Sequence, residues 1–435
     1  MLTCVDLFAG CGGLSLGLEM AGFEPLLFSE INKDAAATYK ANRSSKIVEI
    51  GDIYSFKDAD IAKLKAKWKK KGISEVDVVA GGPPCQGYSA IGHRRTFSLE
   101  KQDIPSNQLY HQMVRVIRAV RPRIFLFENV GGLLTAKWSK TGENGEIFRD
   151  VLKTFCAISG YTVRWQLVHS KDYGVPQRRP RVLVVGIRND LGFPLDPAIP
   201  VKRTFIKPTA ISDGVLPAAV FGYPTVEELL SDLVDPAYPD VKATATYPCR
   251  PANSYQRQLR TTRSGQVLRK GRALSEHEYS KHKTRIREKF AHMLKFEGGI
   301  PPHMLTKKFA QRVLPRTWGP KGPNITVTSL PDDYVHFSQP RILTVREWAR
   351  LQTFPDWYVF KGSRTTGGQR RAGNPSAGLW ERDVPRYTQI GNAVPVELAH
   401  KVGRHLATLL NKYVPSRASK GKSLGHVLRL PQGTV

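Results

Sequence analysis

The sequence predicts an α/β protein, a doubly wound and mostly parallel sheet joined to a second, smaller basic domain. Three observations carry this. Up to about residue 195, short apolar runs alternate with helical patterns, the rhythm of strand and crossover helix. Beyond it, prolines at 194, 197, 200 and 208 break the rhythm, and a strongly basic block follows. Near the end, 391–410 reads as a turn and a helix bearing Val394, Leu398, Val402 and Leu406, similar to the earlier helices and expected to pack back on them. The expected division is therefore 1–195 for the sheet domain, 196–385 for the smaller domain, 386–415 for a segment returning to the first, and 416–435 for a basic tail.

The strands are expected, in order, at 3–8 (TCVDLF), 25–30 (PLLFSE), 46–50 (KIVEI), 76–80 (VDVVA), 123–128 (RIFLFE), 162–168 (TVRWQLV) and 181–187 (RVLVVGI). Between them lie helical patterns: LSLGLEMA, DAAATYKANR, a lysine-rich stretch over 58–71, QLYHQMVRVIRAV and EIFRDVLKTFC. LTVREWARLQTFP at 343–355 reads as a helix closed before a proline, with Leu343, Trp348 and Leu351 on one apolar side.

The formal charge of +29 on 435 residues predicts attraction to polyanions, nucleic acid first. From 250 to 320 there are 17 Lys or Arg against 4 Asp or Glu, so the excess is concentrated there, whereas 213–240 holds six acidic residues and no basic one. That block is expected to contact DNA or RNA. The aromatics within it, Tyr255, Tyr279, Phe290, Phe296 and Trp318, read more readily as core than as base-stacking platforms. No apolar stretch is long enough to span a membrane and no secretory signal opens the chain, so an intracellular protein is expected. Five scattered cysteines fit neither a zinc module nor a disulfide framework, and no metal is expected.

DLFAGCGGLS places Gly10, Gly12 and Gly13 between a strand and a helix, where glycines permit a tight turn and close approach to a ligand. The pattern is not the dinucleotide one, because Ser15 stands where its third glycine would be. Glu30 ends the second strand, where a carboxylate can accept bonds from ribose hydroxyls, and Asp52 ends the third, in reach of an adenine amino group. No phosphate-binding lysine motif accompanies them. An adenosine carrying a sulfonium amino acid fits these residues better than a dinucleotide.

GGPPCQGYS at 81–89 sets Cys85 at the end of a strand, behind two prolines and amid almost no apolar surface, which suits a presented nucleophile. Glu128 and Asn129 emerge from the next strand. In a doubly wound sheet these strand ends share one crevice. A thiolate and a nearby acid are the minimum equipment for adding to an electron-poor ring and protonating its nitrogen. YGVPQRRPR at 173–181 adds Gln177, Arg178, Arg179 and Arg181, one guanidinium suited to hold the acid or the base and another to meet a DNA backbone.

With these motifs in order (DLFAGCGG, GDI, GGPPCQGYS, ENV, QRRPR, RILTVREWARLQTFPD and QIGNAVP), the sequence resembles the DNA (cytosine-5) methyltransferase family, especially its compact bacterial restriction-modification members. The resemblance implies a class I S-adenosylmethionine-dependent methyltransferase fold, 1–195 being its cofactor-binding catalytic domain. It implies that Cys85 attacks C6 of a flipped-out cytosine, that Glu128 supports protonation at N3, and that Arg181 and Arg179 hold this cluster. S-adenosyl-L-methionine would lie against Phe8, Gly10, Cys11, Gly12, Gly13, Glu30, Ile31, Asp52, Ile53, Pro83 and Asn392. Double-stranded DNA would meet Gln86, Ser89, His93, Arg94, Arg95, Gln177 and Arg178, and the 196–385 region would recognise the target sequence. Arg346 and Glu347 are expected to be structural.

The resemblance further implies a monomer in the bacterial cytoplasm, associated with the nucleoid through DNA, with a restriction endonuclease acting separately. Two alternatives stand beside it: a tRNA cytosine-5 methyltransferase, and a noncatalytic DNA-binding relative that retains the fold. The lysine-rich KLKAKWKKKG at 63–72 and the Gly/Arg-rich stretch at 363–373 depart from the pattern and would lengthen a DNA footprint or only decorate the surface.

Overall fold

A computed structural model describes residues 1–84, 108–139, 141–195, 214–220, 222–305, 311–320, 322–325, 333–365 and 383–414. The first part is the expected sheet, built from β1 (Leu2–Leu7), α1 (Gly13–Met20), β2 (Phe23–Ser29), α2 (Lys33–Ala41), β3 (Val48–Ile50), α3 (Asp58–Lys70), β4 (Val78–Gly81), α4 (Tyr110–Val120), β5 (Ile124–Val130), α5 (Glu146–Cys156), β6 (Tyr161–His169) and β7 (Pro180–Arg188). Its spatial order is β3-β2-β1-β4-β5-β7-β6. β1 to β5 pair in parallel, while β7 runs antiparallel to both β5 and β6. The chain winds outward through β2 and β3 on one side of β1, then resumes through β4 on the other. This reversal opens a crevice beyond the carboxyl ends of β1 and β4.

Helices cover both faces, so the central strands carry nearly unbroken apolar sequence: Val78 to Ala80 and Ile124 to Phe127 are all buried. α4 turns Tyr110, Met113, Val114, Ile117 and Val120 inward at helical spacing and stops where Arg121 adopts a left-handed φ of 57° ahead of Pro122. On the opposite face, α1 packs with the last helix, α11 (Val396–Tyr413), whose Leu398, Val402 and Leu406 join Leu14 and Leu18 in one cluster. Gly17 permits this approach, since a Cβ there would lie 2.4 Å from that of Ala399. The same cluster takes in Val215 and Leu216 from the stretch expected in the smaller domain.

The smaller part has little regular structure: α6 (Val226–Leu230), α7 (Ser254–Leu259), α8 (Thr284–Lys295), a pair of two-residue strands β8 (Arg312–Val313) and β9 (Tyr334–Val335), and α9 (Val345–Leu351). Buried charge replaces it as the organiser. Asp232 lies between Arg260 (2.5 Å) and Arg350 (2.5 Å), and Arg350 also grips Asp356 at 2.6 Å, all four with side chains fully buried or nearly so. Arg341 forms a bidentate pair with Glu347, both bonds 2.7 Å. The pairs of Asp232 join distant stretches of chain and the other two fix the local geometry around α9, because breaking any of them would strand a buried charge. Tyr279 and Phe290 are core, as expected, but Phe296 is 52% exposed, with His292 against its ring and Lys295 Nζ over it. The chain returns to the sheet through α10 (Arg386–Asn392).

Candidate active site

The turn after β1 is strained and held from several sides. Phe8, Gly10 and Gly12 all have positive φ (59°, 55° and 87°). The amide of Phe8 donates to Ser29 Oγ (3.1 Å) and that of Ala9 to Ser29 O (2.9 Å), tying the turn to the end of β2. Gly12 is enclosed: a Cβ would come within 3 Å of Arg43, Tyr358 and Tyr39. At Gly10 the same position is open, with nothing within 4 Å, which leaves space for a ligand against the backbone. Gly13 abuts the returning chain, a Cβ there lying 2.4 Å from Val394 O. Below the turn, Ser15 donates to Asp6 (2.6 Å) and shares a bond with Tyr39 (2.8 Å). Burial pushes the Asp6 carboxyl up to about 7.

Cys11 contributes no side chain to this space. Its thiol is buried, lies 3.4 Å from Gln389 O, and is pushed up to about 12 by burial, so only its backbone is left for a ligand. Glu30 accepts from the amides of Gly10 and Asn32, each at 2.8 Å. Each carboxylate oxygen keeps a further acceptor site for a diol, while burial raises its pKa. Ile31 is 73% exposed, an apolar surface next to the open turn. Asp52 is exposed and caps its own turn by accepting from Tyr54 N at 2.9 Å. The side chain of Ile53, expected at the ligand, is instead packed with Phe56 and Ile61 in the core, because it follows the end of an edge strand that α3 covers. Asn392 is exposed at the end of α10.

At the other lip of the crevice, Glu128 leaves β5 with its carboxylate 2.6 Å from Arg181 Nε, both side chains about nine-tenths buried. Arg181 reaches it because β7 runs antiparallel to β5, setting position 181 opposite Val130. A Cβ on Gly82 would lie 3.0 Å from Glu128 Oε2, so the carboxylate sits directly on the chain leaving β4. Asn129 fixes that chain by donating to Pro83 O at 3.1 Å. Cys85, Gln86, Ser89, His93, Arg94 and Arg95 lie outside the described residues.

The three remaining predicted positions separate. Arg178 is exposed. Gln177 is not: it is completely buried and donates to Leu351 O and Gln352 Oε1, both at 2.8 Å. The expectation that it meets DNA is corrected, since its amide is spent on an internal clamp. Gln352 extends the clamp to Ile390 O (2.8 Å) and Ala393 O (3.2 Å). Arg179, at φ 28°, donates to Gly391 O (2.6 Å) and Ala393 O (3.0 Å). Those bonds hold the α10–α11 turn, whereas Arg181 is the guanidinium on Glu128.

Sequence reading missed Arg43, Tyr358, Gln352 and the site-facing role of Asn129. Tyr358 lies in an aromatic run that reads as core, and Arg43 ends a helix as surface residues do. Arg346, by contrast, is buried as expected and donates to Pro355 O, Ser275 and Tyr358 O. Among the described residues no cluster of His, Cys, Asp and Glu could hold a metal ion, and no helix is long and apolar enough to cross a membrane.

A turn left open over Gly10 beside Glu30 at the switch point of a doubly wound sheet, with an arginine-held acid on a neighbouring strand, fits a class I methyltransferase fold. Residues 2–408 match the family described as C-5 cytosine-specific DNA methylase, and the chain belongs to that family. It is 30% identical to the type II methyltransferase M.DdeI of Desulfomicrobium norvegicum, over 93% of this chain and 88% of that one. It is 31% identical to the type II methyltransferase M.XorII of Xanthomonas oryzae pv. oryzae, over 97% and 88%. Its fold is similar to a prophage-encoded E. coli protein assigned as a DNA modification methyltransferase, with a TM-score of 0.65, 23% identity, and 94% and 100% of the two chains covered.

Proposed function

We propose that the protein transfers a methyl group from S-adenosyl-L-methionine to C5 of a cytosine flipped out of a specific double-stranded DNA sequence. Cys85 adds through its sulfur to C6, and Glu128, held by Arg181, delivers the proton to N3, so that the ring gains electron density at C5. S-adenosylmethionine, when bound, supplies the electrophilic methyl group. Once the methyl group has passed to C5 and S-adenosylhomocysteine is left behind, loss of the C5 proton to solvent, departure of Cys85 from C6 as thiolate and return of the N3 proton to Glu128 restore the aromatic ring and free the enzyme. Glu30 would hold the ribose diol, Phe8 would lie against adenine with Asp52 on its amino group, and Ile31 would border the same space. Gly10, Gly12, Gly13 and Cys11 would contribute backbone, with Pro83 and Asn392 completing the wall.

The observation that carries the reading is the contact of Glu128 with Gly82. An acid oriented by a buried arginine and resting on the strand end that leads, three residues on, to Cys85 is suited to protonating a ring while a thiolate adds to it. Base extraction from the duplex costs a few kcal/mol, offset by protein contacts, and the basic 250–320 block and the exposed Arg178 suit those contacts. The protein is proposed to act as a monomer in a bacterial cytoplasm and to protect DNA from a separately acting restriction endonuclease, as the names of its type II relatives suggest.

The test is incubation with a labelled methyl donor and, separately, duplex genomic DNA and tRNA, followed by sequencing of modified bases. Label at cytosine C5 within one recurring DNA word is expected. Label in tRNA alone, or in neither polymer, would sink the proposal.

A further inference from the structure

We infer that Tyr358 and Arg43 are positioning residues for the methyl donor, fixing the turn after β1 from outside its own motif. This rests on the binding of S-adenosylmethionine at that turn. The Tyr358 hydroxyl donates to Cys11 O at 2.5 Å, and Arg43 Nη2 donates to Gly12 O at 3.0 Å, so two successive carbonyls of the turn are drawn to one side. The two donors are themselves joined, Arg43 Nη1 donating to the Tyr358 hydroxyl at 3.0 Å and to Tyr39 O at 3.1 Å. Arg43 Nε completes its fork on Glu19 at 2.6 Å, and the guanidinium lies 3.8 Å above the Tyr39 ring.

A turn with positive φ at Phe8, Gly10 and Gly12 does not keep its shape unaided; conformations of this kind persist only where their surroundings over-determine them. Within each planar peptide the C=O and N–H point in opposite directions, so holding the carbonyls of Cys11 and Gly12 fixes the planes of the Cys11–Gly12 and Gly12–Gly13 peptides; the N–H of the first donates to Ala9 O at 2.9 Å, which closes the turn around the open position at Gly10. Tyr358 can act as a fixed post because it is fully buried, its carbonyl accepts Arg346 Nη2 at 2.9 Å, and its amide donates to Pro355 O at 3.0 Å. Burial also drives its hydroxyl pKa upward, which keeps the proton it donates. The stretch after α9 thereby acts on this turn through the Tyr358 hydroxyl, which donates to Cys11 O and accepts from the Arg43 that holds Gly12 O.

The experiment compares wild type, Tyr358→Phe and Arg43→Lys in the full-length protein. It measures dissociation constants for S-adenosylmethionine and S-adenosylhomocysteine by calorimetry, DNA affinity without cofactor, thermal midpoint, and KM against kcat. Tyr358→Phe removes one hydrogen bond and is expected to weaken both cofactor forms roughly 3- to 10-fold. The loss should appear in KM for the methyl donor rather than in kcat. Arg43→Lys is expected to lose more, because an ammonium cannot span Gly12 O, Tyr358 and Glu19 together. A Tyr358→Phe protein with cofactor affinity within about twofold of wild type would overturn the inference, that being below the effect of one lost bond. So would a parallel fall in DNA affinity and thermal midpoint, which marks a merely structural residue. If wild type itself binds no S-adenosylmethionine, the functional reading fails first and this inference with it.

Discussion

Gln177 offers a sharp test of the site, because two incompatible roles follow from sequence and from geometry. As a DNA contact it would be dispensable for folding; as a clamp it closes a path from β7 to the C-terminal return. Gln177→Ala would leave Leu351 O and Gln352 Oε1, both buried, without the donor that now lies 2.8 Å from each. An unmet buried acceptor costs about 1–3 kcal/mol, and the vacated side-chain volume adds a cavity cost of its own. The expected destabilisation is therefore roughly 2–5 kcal/mol, moderated where Gln352 re-pairs. Urea unfolding of wild type and variant reads that difference as a shifted midpoint at constant slope. Duplex DNA affinity at fixed salt, measured well below the midpoint, should change little. An unfolding free energy within about 0.5 kcal/mol of wild type, the scatter of a neutral surface substitution, together with a clear loss of DNA affinity would refute the clamp and restore Gln177 to the DNA surface.

Other outcomes follow from the same geometry. Cys85→Ala should abolish methyl transfer while calorimetry still detects cofactor binding; turnover equal to wild type would overturn the covalent route. Glu128→Gln preserves shape but removes the transferable proton, so single-turnover rates should fall on the order of 10²- to 10⁴-fold, and a loss under about tenfold would dismiss Glu128 as the acid. His277 and His336 are buried, and burial holds each down to about 4. The unfolded chain therefore takes up their protons first, and the stability these groups contribute, present above about pH 6.5, is lost as pH falls toward 4, on the order of 3 kcal/mol each. Thermal melts that are flat across that window would contradict the burial of neutral imidazoles beside Arg341. Finally, the logarithm of DNA affinity should fall steeply and linearly with that of salt concentration; a flat dependence would show that the +29 charge is not used on phosphates.

The architecture was legible because its information is local and repeated. Each parallel strand announces itself as an apolar run covered on both faces, each crossover helix as a 3.6-residue pattern, and their alternation dictates a doubly wound sheet with its crevice at strand ends. The pairing of Glu128 with Arg181 was legible only through the family resemblance: the residues alone left open which guanidinium holds the acid, and the antiparallel β7 that brings position 181 to the mouth of β5 has no local signature.

What sequence could not supply is direction, which a side chain acquires only from tertiary partners. In YGVPQRRPR four polar residues look interchangeable, yet Gln177 points into the protein, Arg178 outward, Arg179 to the α10–α11 turn and Arg181 to Glu128. The hairpin between β6 and β7 is irregular, and Arg179 at φ 28° breaks the alternation by which strand residues are sorted to one face or the other. Ile53 and Cys11 show the same: each turns its side chain into the core, which the motif around it does not announce. Tyr358 is the converse, a residue 347 positions from Cys11 whose hydroxyl meets its carbonyl. A motif therefore fixes where the backbone must pass more firmly than which atoms do the work, and in this protein the atoms that hold the turn after β1 come largely from chain that no motif at that turn contains.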